Sequence, residues 1–340
     1  MSGLRRVRSR RLRSLGTAAG ARRVRRAWVG GEAAPTDAPV PRLLDWEAWR
    51  DADVAATLAA RQPPSRLSMM SNDAPRFRDQ GALRHLRRDV VAMAAYTPGE
   101  QVNDCLKLNT NECPWPPSPK VVAALSTIDG DHLRLYPDPV ARSLRECASQ
   151  AYGVYPDMVL AGNGSDDCLT IIYRAFLGVG DRVACAWPTY GLYDTLAAIQ
   201  GSEIVHVDYR ITAADWQLPT ALPRQGAKLV IVANPNNPSG TIVSSTELRR
   251  LADAVDGILV VDEAYIDFAE ADGTAESLLP HLHEHPNLIV LRTFSKSYSL
   301  AGARLGLLFT AAPLVAHLMK VKDSYNLNVV TQALGCAALE

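Results

Sequence analysis

The feature that most limits what this sequence can fold into is a series of seven short, unbroken apolar runs. They lie at about residues 158–161, 182–186, 203–207, 229–233, 258–262, 288–292 and 304–309. Each has the length of a strand and none alternates in polarity, as expected for strands covered on both faces. Amphipathic stretches with helical period separate several of them, among them STELRRLADAVDG at 245–257. Ahead of the first run, VARSLRECASQAYG places Val140, Leu144, Cys147, Ala148 and Ala151 on one helical face, with Gly153 as the expected stop. The alternation predicts an α/β chain with a mostly parallel sheet.

In such sheets ligands sit beyond the carboxyl ends of the strands. The unusual polar segments fall there: GNGSDD (162–167), PTYGLY (188–193), NPNNPSG (234–240), Asp262 with Tyr265, and SKS (295–297). Singly, each has an ordinary structural reading. GNGSDD reads as a turn and helix N-cap, NPNNPSG as a proline-rich turn, Asp262 as a strand-terminal acid and Lys296 as a solvated lysine. Placed together on one sheet edge, they indicate a site. Lys296 is also one of only six lysines among 36 basic residues.

Composition narrows the functional classes. A chain of 340 residues, 47% hydrophobic and 21% charged, reads as soluble and globular, with one large or two smaller domains. No apolar run reaches membrane-spanning length. Ten of the basic residues are arginines within residues 1–27, which contain no acid; the remainder holds 26 basic against 36 acidic residues. That balance argues against nucleic-acid binding by the main body. Cys105, Cys113, Cys147, Cys168, Cys185 and Cys336 show no metal-ligand spacing and read as thiols of a reducing compartment. Residues 1–68, rich in Arg, Ala and Pro, read as a disordered extension or a mis-set start, with Met69 or Met70 as the working beginning. An organelle transit peptide and a basic arm for RNA or a membrane surface are the alternatives. The absence of a signal-type apolar segment argues against secretion. Within this region DWEAWRDADVAATLAARQ could form a short helix. After residue 71, RDQGALRHLRRDVVAMAAYTPGE predicts a short helix followed by a turn at Pro98 and Gly99.

The motifs YTPG, KLNTNECPWPPSP, YPD, AGNGSDD, PTYGLY, ANPNNPSG, VVDEAYIDF and SKSYSLAGARLG run from about Tyr96 to Asn328, two-thirds of the chain. Together they resemble the pyridoxal-phosphate aminotransferases of fold type I, and within them the histidinol-phosphate aminotransferases. The resemblance implies a three-layer fold with a mostly parallel seven-stranded sheet. It divides the chain into an arm and part of a small domain (69–125), a cofactor-binding large domain (126–325) and the start of a C-terminal small domain (326–340). It also implies a cytoplasmic homodimer acting on histidinol phosphate and glutamate or 2-oxoglutarate, without metal, nucleic acid or membrane partners.

The same resemblance assigns residues. Lys296 forms the Schiff base with pyridoxal 5′-phosphate and shuttles the proton; a desolvated amine sheds its proton, which guanidinium does not. Asp262 pairs with the pyridine nitrogen, Asn237 and Tyr265 with the phenolic oxygen, and Tyr190 stacks on the ring. Backbone amides of Ser165 and Asp166 at a helix start, with Thr293, Ser295 and Arg304, hold the phosphate. Tyr136 reaches the neighbour's phosphate across the dimer. Tyr96, Asn111, Tyr325 and Asn326 contact substrate. Cys113 stands where asparagine is frequent, which weakens the substrate assignment slightly. Threonine-phosphate decarboxylase and aromatic aminotransferase are the nearest alternatives, and a non-catalytic binder of the cofactor is one of another class. Family members continue beyond this chain's last residue, 44 positions after Lys296, into a domain that carries the arginine for the substrate carboxylate. The resulting expectation is weak or absent activity.

Overall fold

The computed structural model describes residues 84–94, 96, 99, 107–212 and 216–340. Residues 1–68, with their candidate helix, lie outside the described residues, as do Pro98 and Cys105.

Nine strands are described: β1 (Val159–Gly162), β2 (Arg182–Trp187), β3 (Glu203–Asp208), β4 (Arg210–Ile211), β5 (Trp216–Gln217), β6 (Leu229–Ala233), β7 (Ile258–Asp262), β8 (Leu288–Thr293) and β9 (Gly306–Phe309). All seven apolar runs become strands of one sheet, ordered β1-β9-β8-β7-β6-β2-β3. The five strands β3, β2, β6, β7 and β8 are parallel. β9 runs antiparallel to both β8 and β1. It begins at Gly306 rather than at 304, because Arg304 adopts a left-handed conformation (φ 53°) that turns the chain just before the strand. The β4–β5 hairpin stands outside the sheet. Two residues per strand are too few to form an apolar run, so nothing in the pattern announced it.

The helices follow as α1 (Arg88–Ala92), α2 (Pro119–Leu125), α3 (Gly130–Leu133), α4 (Arg142–Tyr152), α5 (Ser165–Phe176), α6 (Leu192–Gln200), α7 (Ser245–Ala254), α8 (Ile266–Ala271), α9 (Ala312–Leu318) and α10 (Val329–Leu339). Successive strand residues face opposite ways, so the sheet has two apolar faces. Val230, Val232, Leu259, Val261, Leu288 and Val290 meet the buried sides of α4, α7 and α10. Leu229, Ile231, Val260, Ile289, Leu291 and Leu308 meet those of α5, α6 and α9. Helix, sheet and helix thus form three layers. In α4 the expected face delivers Leu144 and Ala148 to full burial, and Gly153 ends the helix at φ 69°. Ala151 in the last turn is exposed, contrary to the pattern. α10 packs so closely that a β-carbon on Gly335 would come within 2.5 Å of Leu305 and 2.7 Å of Leu144. Truncating Leu144 would cost about 2–5 kcal/mol.

Candidate active site

A cavity of about 510 Å³ opens at the carboxyl ends of the parallel strands. β6 delivers Asn237 to it, β7 ends at Asp262 and continues to Tyr265, and β8 ends at Thr293 and continues to Ser295 and Lys296. Tyr190 arrives from the loop after β2, and Ser165 and Asp166 from the start of α5 after β1. Arg304, Tyr96 and Asn111 complete the set of predicted residues that the fold brings together.

Asp262 is a buried carboxylate of this cavity with a raised pKa. Its carboxylate is buried (6% exposed), accepts a hydrogen bond from the Tyr193 hydroxyl (2.9 Å) and another from the Ala264 N–H (3.2 Å). Burial pushes its pKa up to about 6; the Asp166 charge adds to the rise, and the two hydrogen bonds oppose it. Tyr193, fully buried, was not singled out from the sequence. Its signal was the three-residue spacing from Tyr190 in PTYGLY: the two rings meet edge to face at 5.7 Å, one over the cavity and the other under Asp262.

The Lys296 ammonium donates to the Thr110 carbonyl at 2.7 Å and lies 5.5 Å from the Tyr265 ring centre. The Asn111 amide donates to the Tyr265 hydroxyl (3.0 Å). Asn111 itself has φ 53°, so a turn of left-handed backbone carries this loop over the sheet edge.

At the other end of the cavity, α5 presents free N–H groups of a twelve-residue helix. Its start is pressed into the sheet. β1 and β9 pair Gly162 with Gly306, and a β-carbon on Gly306 would lie 2.3 Å from the Ser165 nitrogen. Gly162 is equally tight, 2.6 Å from the Cys168 sulfur. Arg304 faces this end, with Nη2 3.3 Å from Asp166 and Nη1 donating to Ser295 Oγ at 3.4 Å. The Ser295 N–H in turn donates to Thr293 Oγ1 (3.2 Å). Paired N–H groups, a guanidinium and hydroxyls together make a cup for a doubly charged anion.

Three predicted residues lie outside the cavity. Tyr136 and Tyr325 stack on each other at 4.5 Å, and Tyr136 is 81% exposed. Tyr136 lines an open groove of about 850 Å³ with Leu133, Leu135, Val330 and Leu334; the groove and the cavity share Gly302 and Arg304. The Asn326 amide donates to the Ala161 carbonyl (3.0 Å) and to Asp167 Oδ2 (2.9 Å), while its oxygen accepts from Lys322. The same Asp167 oxygen accepts from the Asn163 N–H (2.8 Å). Asn326 therefore braces the GNGSDD loop from behind. Among the described residues no His, Cys, Asp and Glu group could hold a metal, and no helix is long and apolar enough to cross a membrane.

Residues 103–340 match the family described as Aminotransferase class I and II. The chain belongs to that family. Histidinol-phosphate aminotransferase 1 of Trichormus variabilis is 44% identical over 260 residues, 75% of this chain and 72% of the relative. The histidinol-phosphate aminotransferase of Rhodopirellula baltica is 44% identical over 252 residues, 73% of this chain and 67% of its own length. Among solved structures, the histidinol-phosphate aminotransferase from Sinorhizobium meliloti in complex with pyridoxal-5′-phosphate is 30% identical and superposes with a TM-score of 0.62, covering 67% of this chain. The chain spans 62% of that structure's length. An aminotransferase from Mycobacterium tuberculosis gives 26% identity and a TM-score of 0.61. The sheet and its helical layers are thus those of a fold type I aminotransferase.

Proposed function

We propose that this chain transfers an amino group between histidinol phosphate and 2-oxoglutarate, with pyridoxal 5′-phosphate held in the cavity at the sheet edge. The observation that carries the reading is the buried Asp262 carboxylate, facing the same cavity as Lys296 and Arg304. The donor set fits the cofactor part by part: an amine for its aldehyde, an anion for its ring nitrogen, and a helix start with a guanidinium for its phosphate. When bound, pyridoxal phosphate supplies a ring that accepts electron density from the substrate carbon.

The protein's own residues do the rest. With the cofactor bound, the Lys296 amine would hold it at its aldehyde and would move the proton at the substrate carbon. Asp262 would pair with the ring nitrogen and hold a proton there, and the positive charge would favour the ionised carboxylate. Tyr265 and Asn237 would donate hydrogen bonds to the phenolic oxygen. Tyr190 would cover the ring. The amides of Ser165 and Asp166, with Thr293, Ser295 and Arg304, would hold the phosphate. Tyr96 and Asn111 contact substrate from the loops over the cavity. Tyr136, exposed beside a groove that shares Arg304 with the cavity, supports a homodimer in which it reaches the other copy's phosphate end. Tyr325, stacked on Tyr136, and Asn326 would then act at that junction.

An absorbance spectrum of the purified chain with pyridoxal 5′-phosphate, before and after histidinol phosphate, tests the reading beside a Lys296→Ala control. A visible band that needs Lys296 and collapses on addition of histidinol phosphate is the expected result. A band indifferent to the amine would leave cofactor binding without amino transfer, and release of carbon dioxide from a phosphorylated amino acid would point to decarboxylation.

A further inference from the structure

Behind the cavity lies a buried cation that the chemistry above does not use. Arg292 of β8 is 3% exposed, and its guanidinium faces three carboxylates: Glu263 (3.1 Å from Nε), Asp267 (2.5 Å from Nη1) and Glu270 (3.4 Å from Nη2). The Nε contact is an ion pair without hydrogen-bond alignment. The guanidinium carbon also sits 5.4 Å from the centre of the Tyr152 ring.

Two of these partners adjoin residues of the cavity. Glu263 follows Asp262 and is itself pinned by Ser277 Oγ (2.6 Å) and the Leu278 N–H (2.8 Å). Asp267 lies two residues after Tyr265, and its second oxygen accepts from the hydroxyl of Ser297, the residue after Lys296. One guanidinium therefore ties together the end of β7, the start of α8 and the turn after β8. Those three segments carry Asp262, Tyr265 and Lys296.

A buried ion cluster is a weak source of stability, because desolvation offsets most of the attraction and apolar packing of equal volume does as well. What a planar fork with several partners provides is geometry. We propose that Arg292 is a positioning residue for the amino transfer proposed above, fixing Asp262, Tyr265 and Lys296 relative to one another through Glu263, Asp267 and Ser297. The proposal rests on that reading of the cavity.

Arg292→Lys keeps the charge but replaces the fork by a single nitrogen that cannot span three carboxylates. In the full chain loaded with pyridoxal 5′-phosphate, kcat is expected to fall about 10- to 100-fold with KM little changed. The pH midpoint of the Lys296-dependent visible band is expected to move by about one unit. Ser297→Ala removes one tether at a partly exposed position and carries the test should Arg292→Lys not fold; its expected effect has the same character at about threefold in kcat. Arg249→Lys, which disturbs an ion pair to Glu284 away from the cavity, should leave the midpoint where it was. A lowered melting temperature with unchanged midpoint and kcat in both variants would reduce Arg292 to a structural role and overturn the proposal. Absence of any Lys296-dependent band in the wild-type chain would instead overturn the reading of the cavity, and the proposal with it.

Discussion

The cavity has two walls built in different ways. The sheet wall consists of strand ends: Asp262, Thr293 and Ser295 are 5–8% exposed, and each is held by hydrogen bonds to neighbours in the same wall. The facing wall comes from chain outside the sheet, where Tyr96 is 38% exposed and Asn109, Asn111 and Glu112 are exposed as well. Hydrogen bonds from Lys296 to the Thr110 carbonyl and from Asn111 to Tyr265 join it to the sheet wall. Shifting a proton affinity requires burial and fixed partners, so groups that handle protons belong in the first wall. Recognition of a substrate tolerates adjustment, and it falls to the second.

Four measurements sharpen or break this division. Lys296→Ala should abolish the visible band and lower turnover by about 10⁴-fold or more; appreciable residual transfer would remove the sheet wall from the chemistry. Asp262→Asn should lower kcat by about 10²- to 10³-fold and yet stabilise the protein without cofactor. The sign follows from the direction of the shift. Asp262 has its pKa raised to about 6 and Glu263 to about 7, so the folded chain holds protons that the unfolded chain has already lost. Stability contributed by these two groups therefore falls as pH rises from about 4 to 7. Removing the Asp262 carboxylate relieves about 3 kcal/mol of that penalty at pH 8, less about 1 kcal/mol for the weakened acceptor facing Ala264. Urea unfolding should show the variant about 2 kcal/mol more stable than wild type at pH 8, with the advantage gone at pH 4. An equal advantage at both pH values would refute the buried-charge account.

Tyr193→Phe deletes the hydroxyl that holds Asp262 in its charged form. Its removal should raise the Asp262 pKa further and cost about tenfold in kcat, read from the acid limb of the pH–rate profile. Asn111→Ala in the other wall should change KM by a few-fold with kcat little altered, and should cost about 1 kcal/mol of unfolding free energy because alanine tolerates the left-handed backbone at this position less well than asparagine. A loss of kcat there comparable to that of Asp262→Asn would erase the distinction between the walls.

Much of the sheet wall was legible in the sequence because its two ingredients are local. Unbroken apolar runs mark buried strands, and the polar residues that end them mark one edge. The resemblance then named individual residues, and twelve of them, from Tyr96 to Arg304, line one cavity. What escaped was relational. The Lys296–Thr110 bond joins residues 186 positions apart through a backbone carbonyl, and any residue type supplies a carbonyl. Asn326 looked like a pocket residue by its motif, whereas its amide is engaged with Ala161 and Asp167. Arg292 sat in a run that reads as apolar strand, and its three carboxylates come from segments that only the parallel pairing of β7 and β8 brings alongside. Tyr193 had a local signal, its spacing from Tyr190, but its bond to Asp262 crosses 69 positions.

The facing glycines of β1 and β9 have a consequence for how such a chain can drift. Gly162 and Gly306 contribute no functional group, yet neither can accept so much as a methyl without displacing the start of α5. In a saturation library scored for activity, these two positions should tolerate fewer replacements than Tyr190 or Thr293, whose side chains reach the cavity. The least negotiable letters of the site would then be the two that have nothing to say chemically.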